Sequence, residues 1–212
     1  MKKSLIQVDP RVYRTLDYID KPRWNSYWQQ MYEVNRTKPK KVLEIGIGNS
    51  IVAMILHQLG FDLTTVDFDN RLHPDFVADI RQLPFSDNTF DTVLCAEVLE
   101  HIPFSDFSAA LKELHRVTKK YVIMTVPHDY LTYFYISFKL IPYVRPLSLF
   151  LTVPRAQKHA FDGQHYWEIG KRGYSLKRIN QAISHAGLLI DKTYTMLENP
   201  NHRFFILMKG NR

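Results

Sequence analysis

Val42-Leu43-Glu44-Ile45-Gly46-Ile47-Gly48-Asn49-Ser50 decides how the rest of this 212-residue chain is read. It begins apolar and β-prone, ends in two glycines, and passes into Ile51-Val52-Ala53-Met54-Ile55-Leu56, which Gly60 closes. The pattern predicts a buried strand, a tight turn and a helix. Without a Cβ, Gly46 and Gly48 can adopt dihedrals closed to other residues and let a ligand lie against bare backbone. A helix starting near Ser50 points unpaired N–H groups and partial positive charge at that ligand.

A dinucleotide fingerprint needs a third glycine three residues after the second. Ile51 stands there, which weakens a nicotinamide reading. Glu44 lies two residues before the first glycine, where a carboxylate suits a ligand carrying positive charge. The stretch resembles motif I of the class I S-adenosylmethionine (SAM) methyltransferases, acidic-x-Gly-x-Gly-x-Gly, and departs from it at Ser50. The next strand, Phe61 to Val66, ends at Asp67, 19 residues after Gly48. At that distance a strand-end carboxylate meets a ribose, and Phe68 beside it is placed to cover an adenine face. Asp67-Phe68-Asp69-Asn70 also has the composition of a plain turn.

Further motifs follow in order. Asp79 to Phe85 resembles the Asp-x-x-x-Leu-Pro-Phe segment of the same family, which implies that Asp79 accepts from the adenine amino group and that the Ile80 backbone faces a ring nitrogen. Thr92 to Ala96 is expected as the fourth strand, with Ala96 bordering the cofactor. Glu97-Val98-Leu99-Glu100-His101 is close to the family's Glu-x-Leu-Glu-His run. Tyr121 to Val126 reads as the fifth strand. Lys119-Lys120 stands where many relatives carry Lys-Pro-Gly-Gly, so that connection must be built differently. Gly163-x-His165-x-Trp167 resembles the loop after strand five in ubiquinone-type O-methyltransferases.

Composition sets the bounds. At 45% hydrophobic and 23% charged, the chain suits one globular domain. The single cysteine, Cys95, excludes internal disulfides and fits a reducing compartment. The first residues lack the apolar run of a signal peptide, so a cytoplasmic location is expected. Residues 1–41 hold 10 Lys and Arg against 4 Asp and Glu, while the rest is nearly balanced. A basic leader suggests nucleic acid or anionic lipid, but a solvated face is the commoner meaning. This leader lacks aromatic-basic interleaving, and it is expected to be dispensable for cofactor binding.

Asp20-Lys21-Pro22 has the form of a helix start. Trp24, Tyr27, Trp28 and Met31 then mark one apolar helical face, expected in the core, with Trp24 or Tyr27 reaching the cofactor. Ser105 is the expected N-cap of a helix with Phe107, Ala110, Leu111, Leu114 and Val117 inward. Residues 131–153 are dense in Tyr, Phe, Leu and Ile. Pro142, Pro146, Lys139 and Arg145 argue against a spanning helix, which needs ~20 unbroken apolar residues. Two short helices meeting between the prolines are expected, as a lid on an apolar substrate, a membrane-surface element or a homodimer contact. Ser175 caps a last helix, closed by Gly187, and two closing strands follow.

Together these signals predict an α/β fold: a Rossmann-like seven-stranded, mostly parallel sheet, helices on both faces, and an antiparallel last strand. The expected organisation is a single domain over 1–212. It comprises an N-terminal helical cap (1–40), a SAM-binding core (41–127), an apolar lid insertion (128–174) and a C-terminal helix and strand pair (175–212). The resemblance to the class I, methyltransferase type 11-like family implies an enzyme that transfers a methyl group from SAM and leaves S-adenosylhomocysteine. The expected cofactor residues are Glu44, Gly46, Gly48, Asp67, Phe68, Asp79, Ile80 and Ala96, with no metal. The acceptor is expected to be an apolar or aromatic small molecule, methylated on oxygen with His128 or His165 as general base. His101, also near the cleft, is read as structural. Two alternatives stand beside this reading. One is an RNA-directed methyltransferase using the basic leader. The other is a membrane-surface protein with a non-catalytic SAM-like fold.

Overall fold

A computed structural model describes residues 8–139, 147–154 and 157–210. The sequence elements assemble around a seven-stranded sheet. Its strands are β1 (Lys41–Ile45), β2 (Asp62–Asp67), β3 (Phe76–Val77), β4 (Phe90–Ala96), β5 (Thr118–Pro127), β8 (Leu188–Thr195) and β9 (His202–Lys209). The order is β3-β2-β1-β4-β5-β9-β8. The first five run parallel, and β9 lies antiparallel between β5 and β8. The strand order reverses at β1, between β2 and β4. Ligands of open α/β sheets bind outside the strand carboxyl ends at such a switch point.

Side-chain alternation divides the core. Leu43 and Ile45 of β1 join Val93, Cys95, Val122, Met124, Phe205 and Leu207 on one face. Helices α3 (Phe104–Val117) and α4 (Leu176–His185) cover that face. Phe107, Ala110, Leu111, Leu114 and Val117 of α3 are fully buried, each large side chain stabilising by about 1.5–3 kcal/mol. Ser175 caps α4 by accepting from Arg178 N–H at 3.3 Å. Ser105 does not cap α3. The helix starts at Phe104 after Pro103, and the Ser105 hydroxyl donates to Asp106. α3 runs straight into β5 without a glycine turn. Lys209 Nζ secures the junction by donating to the carbonyls of His115 and Thr118 at 2.7 and 2.8 Å.

Val42, Leu63, Leu94, Ile123 and Ile206 form the opposite face, against Val34 of α1 (Lys21–Arg36) and Val52, Ala53 and Leu56 of α2 (Ile51–Gln58). Asp20 caps α1, accepting from Arg23 N–H at 2.8 Å. Of the apolar face expected on α1, Tyr27 and Met31 pack against this core and the two tryptophans do not. Trp24 and Trp28 are exposed, and Trp28 stacks on Tyr32. Ser26, Gln30 and Glu33 are buried instead. Glu33 accepts from Tyr194 Oη and Gln29 Nε2, and Ser26 Oγ meets His202 Nδ1 at 3.1 Å. Polar partners on β8 and β9 let these side chains enter the interior, while the two tryptophans remain outside.

The insertion corrects a second expectation. Its described part is a hairpin of two antiparallel strands, β6 (Tyr130–Phe138) and β7 (Leu147–Pro154), not two helices. Runs of Tyr, Phe, Ile and Leu fit a pleated surface as well as a helix. The bend expected between Pro142 and Pro146 lies outside the described residues.

Candidate functional site

A cleft of about 490 Å³ opens at the carboxyl ends of β1, β2 and β4, within the range of small-molecule sites. The eight residues expected to hold a cofactor, Glu44, Gly46, Gly48, Asp67, Phe68, Asp79, Ile80 and Ala96, all line it. β1 supplies its floor. Gly46 has φ +81°, and a Cβ there would sit 2.2 Å from Val98 Cγ2. The turn therefore accepts only glycine while Val98 stays in place. Gly48 and Ser50 also have positive φ, 48° and 60°. Ser50 thus occupies a left-handed position, as the family's glycine at that point would, and its side chain caps nothing.

Alternation along β1 turns Glu44 toward the α1 side of the sheet. Its side chain is buried, and Oε2 has no hydrogen-bond partner among the described residues. Burial, with the nearby Asp67 charge, pushes its pKa up to about 8. Asp67 is fixed at the end of β2. Its Oδ2 accepts from Ile47 N–H and its Oδ1 from Asp69 N–H, both at 2.9 Å. Burial raises its pKa against those stabilising bonds. Two carboxylates around a glycine turn, one buried without a partner, suit a ligand that brings cationic and hydroxyl donors. Asp79 lies across the cleft, held by a bidentate pair with Arg81, which also binds Asp106. The side-chain bond to Arg81 holds its carboxyl below the usual range.

The leader is part of the site, contrary to the expectation of a solvated arm. Val8, Val12, Tyr13 and Tyr18 line the cleft. Tyr13 reaches to 3.8 Å from where a Gly48 Cβ would stand. Burial pushes its phenol up to about 12, with Asp67 adding to the effect. Arg23 lies over the Tyr18 ring at 3.9 Å. From α1, Tyr27 Oη accepts from Asn49 Nδ2 at 2.9 Å, so Tyr27 reaches the cleft, and exposed Trp24 does not line it.

The two candidate bases occupy different places. Trp167 is fully buried, donates from Nε1 to the Leu99 carbonyl at 3.1 Å, and packs on Phe104 and Phe107. This anchor holds His165, two residues earlier, in the cleft. His165 Nδ1 lies 2.8 Å from Glu168 Oε1. Burial disfavours its charged form, but the bond and charge of Glu168 outweigh that and raise its pKa. His128 instead lines a side cavity with Asp129, Tyr130, Tyr133 and Glu168. Its Nδ1 accepts from Arg203 Nε at 2.8 Å, and burial, then the Arg203 charge, push it down to about 4. His101, with Nδ1 3.1 Å from the Gln164 carbonyl, is also lowered to about 4, by burial and then by His165.

Sequence reasoning missed several cleft residues. Gln30, Asn201 and His202 come from α1 and the β8–β9 end of the sheet, and no motif marks them. Glu97 holds φ +54°, a strained position for a non-glycine residue, and Glu100 is buried without hydrogen-bond partners for either oxygen among the described residues. Burial and Glu97 raise the Glu100 pKa well above the carboxylate range. Donor atoms of Glu100, His101 and His165 lie within 4.8 Å of one another, so this corner has the chemistry to hold a cation. None of the hairpin's described residues lines the main cleft; Tyr130 and Tyr133 line the side cavity.

Residues 43–125 match the family described as methyltransferase domain. Demethylmenaquinone methyltransferase of Corynebacterium glutamicum is 36% identical over 88 residues, 38% of this chain and 37% of that protein. Ubiquinone biosynthesis O-methyltransferase of Pseudomonas aeruginosa is 33% identical over 95 residues, 38% of this chain and 40% of that protein. The chain thus spans less than half the length of the curated relatives it matches. Among solved structures, the 1,6-didemethyltoxoflavin-N1-methyltransferase of Burkholderia thailandensis, with S-adenosylhomocysteine bound, superposes with a TM-score of 0.63 at 12% identity. The match covers 95% of this chain and 85% of that one, and shows the shared fold. No helix among the described residues is long and apolar enough to cross a membrane. The strand order and the glycine turn accompany the match over 43–125, so this segment, about two fifths of the chain, is similar to the methyltransferase domain of class I SAM-dependent enzymes.

Proposed function

We propose that this protein transfers a methyl group from SAM to an apolar or aromatic small molecule, with a hydroxyl as the favoured acceptor. The observation that carries the reading is Glu44: a buried carboxyl with an unpartnered oxygen on the floor of a glycine-lined cleft. A ligand with an ammonium and a sulfonium group would supply the missing positive charge, and Asp67 has the position to accept from ribose hydroxyls. Bound SAM would contribute an activated methyl group on sulfur. The protein's own part is positioning: the glycine turn, Asp67 and Asp79 set one end of the ligand, while Tyr13, Tyr18 and Tyr27 shield it from water.

Of the two candidate bases, His165 is the better supported. It faces the cleft and is paired with Glu168, which orients the ring and stabilises its protonated form as it takes a proton. His128 lies beside the cleft with one nitrogen committed to Arg203. Relatives named for quinone substrates and an O-methyltransferase support an aromatic acceptor. The test is calorimetry with SAM and S-adenosylhomocysteine, followed by transfer of radiolabelled methyl to a panel of phenols, quinols and their N- and C-nucleophile analogues. Binding of a nicotinamide dinucleotide with no binding of SAM would refute the reading. Transfer to nitrogen or carbon acceptors alone would refute the O-methyl preference.

A further inference from the structure

Strands β6 and β7 pair with each other and stand apart from the seven-stranded sheet. Phe134 is opposite Leu151, Ile136 opposite Leu149, and Phe138 opposite Leu147. Cross-strand partners share a face, so these six side chains form one continuous apolar surface. Each is between 52% and 79% exposed. A single exposed leucine needs no explanation, but a contiguous apolar face of six marks an interaction site. The opposite face is mixed, with Tyr133 and Tyr135 paired to Thr152 and Phe150.

We propose that this hairpin docks on an anionic lipid bilayer, laying its apolar face into the boundary between headgroups and acyl chains. Charge selects this occupant. From 130 to 161 the sequence carries Lys139, Arg145, Arg155 and Lys158 and no Asp or Glu. Of these, Lys139 and Lys158 lie among the described residues, next to the hairpin in sequence, and basic side chains near an apolar surface are attracted to anionic headgroups. A second copy would bring the same positive excess with no acidic residue in this stretch to balance it, which opposes self-association. Tyrosine on the other face matches the headgroup level, where amphipathic rings concentrate. Among the described residues β6 and β7 form a ladder of only two strands, and hydrocarbon does not forgive open strand edges, so the hairpin lies in the interface and does not span it. At its root, Tyr130 and Tyr133 line a cavity that shares Pro127 and Asn201 with the main cleft. Docking therefore brings the side of the cleft close to the lipid surface.

Flotation of the purified full chain with vesicles tests the idea, comparing phosphatidylcholine alone with phosphatidylcholine plus phosphatidylglycerol at low and high salt. Binding is expected on the anionic vesicles and is expected to fall with salt. The double variants Phe134→Ser/Leu149→Ser and Lys139→Glu/Lys158→Glu should each weaken it about tenfold or more, with the thermal midpoint unchanged. The charge variant leaves the apolar face intact, so it decides the matter if the serine pair disturbs the hairpin. Absence of flotation, or flotation that the charge variant leaves intact, overturns the proposal. So does light scattering that finds a dimer which the serine pair dissociates.

Discussion

Glu44→Gln separates the electrostatic role of this residue from its shape. In the folded protein the Glu44 carboxyl, ordinarily near 4.5, titrates at about 8 because it is buried beside Asp67. A carboxyl raised in the native state keeps its proton there after the unfolded chain has lost it. Its contribution to stability is therefore full below pH 4.5 and is lost as pH rises toward 8. One pK unit is worth about 1.4 kcal/mol, so the loss by pH 7 is on the order of 3 kcal/mol. Glutamine keeps the side-chain size and cannot ionise. The ligand-free variant should hold its midpoint between pH 5 and pH 8 where the parent declines, a gap of several degrees by pH 8. SAM affinity should move the other way, falling about ten- to hundredfold as a charge-assisted contact is lost. In the parent, SAM binding near pH 7 should release protons, visible as a dependence of the calorimetric heat on buffer ionisation enthalpy, and the variant should lose that release. Scanning calorimetry across pH and titration in two buffers measure all three effects. Parallel pH profiles of the parent and variant midpoints, with equal SAM affinity, would refute the reasoning.

Other perturbations address the remaining walls. Asp67→Ala should weaken SAM binding by about 1–3 kcal/mol, the cost of leaving buried donors unpaired, and calorimetry reads it directly. Removing residues 1–20 should lower SAM affinity about tenfold or more, because Val12, Tyr13 and Tyr18 line the cleft; affinity within a few-fold of the parent would mean that the leader does not cover the ligand. Ser50→Gly should raise stability by about 0.5–1 kcal/mol, since Ser50 holds φ +60° without a side-chain cap, and denaturant unfolding checks the sign. Glu168 raises the His165 pKa, so turnover should rise with pH through an inflection above 6.5, and Glu168→Gln should move that inflection downward. An inflection that stays fixed in the variant would exclude His165 as the base.

The central fold is legible because its signals are local. A strand, two glycines and a helix follow one another from Val42 to Leu56, and the carboxylates that meet them stand at strand ends, where spacing along the chain fixes position in space. The strand pair from Leu188 to Lys209 is equally plain, as alternating and apolar runs divided by Asn199-Pro200-Asn201. The insertion is ambiguous for a physical reason. Period-two and period-3.6 patterns both vanish when nearly every residue is apolar or aromatic, leaving β-propensity as the weak discriminator.

The parts of the site that sequence does not disclose are those made by folding back. Nothing near Tyr13 states that it will meet Gly48, 35 residues later, because that contact exists only once the leader has crossed the sheet. α1 shows why. Hydrophobicity alone would bury its two tryptophans, yet Glu33 is inside because Tyr194, Gln29 and Arg36 satisfy its carboxylate. That choice rotates Gln30 and Tyr27 toward the cleft and leaves Trp24 and Trp28 on the surface. A polar network formed across 161 residues, from Glu33 to Tyr194, thus sets the orientation of the helix that walls the cleft. Breaking that network should therefore reach the ligand. The same logic links Trp167 to His165: a ring buried under Leu99 fixes a histidine two residues away. In both places the cleft residue is held by a neighbour that does not itself line the cleft, which is why motifs find the floor of this site and folding supplies its walls.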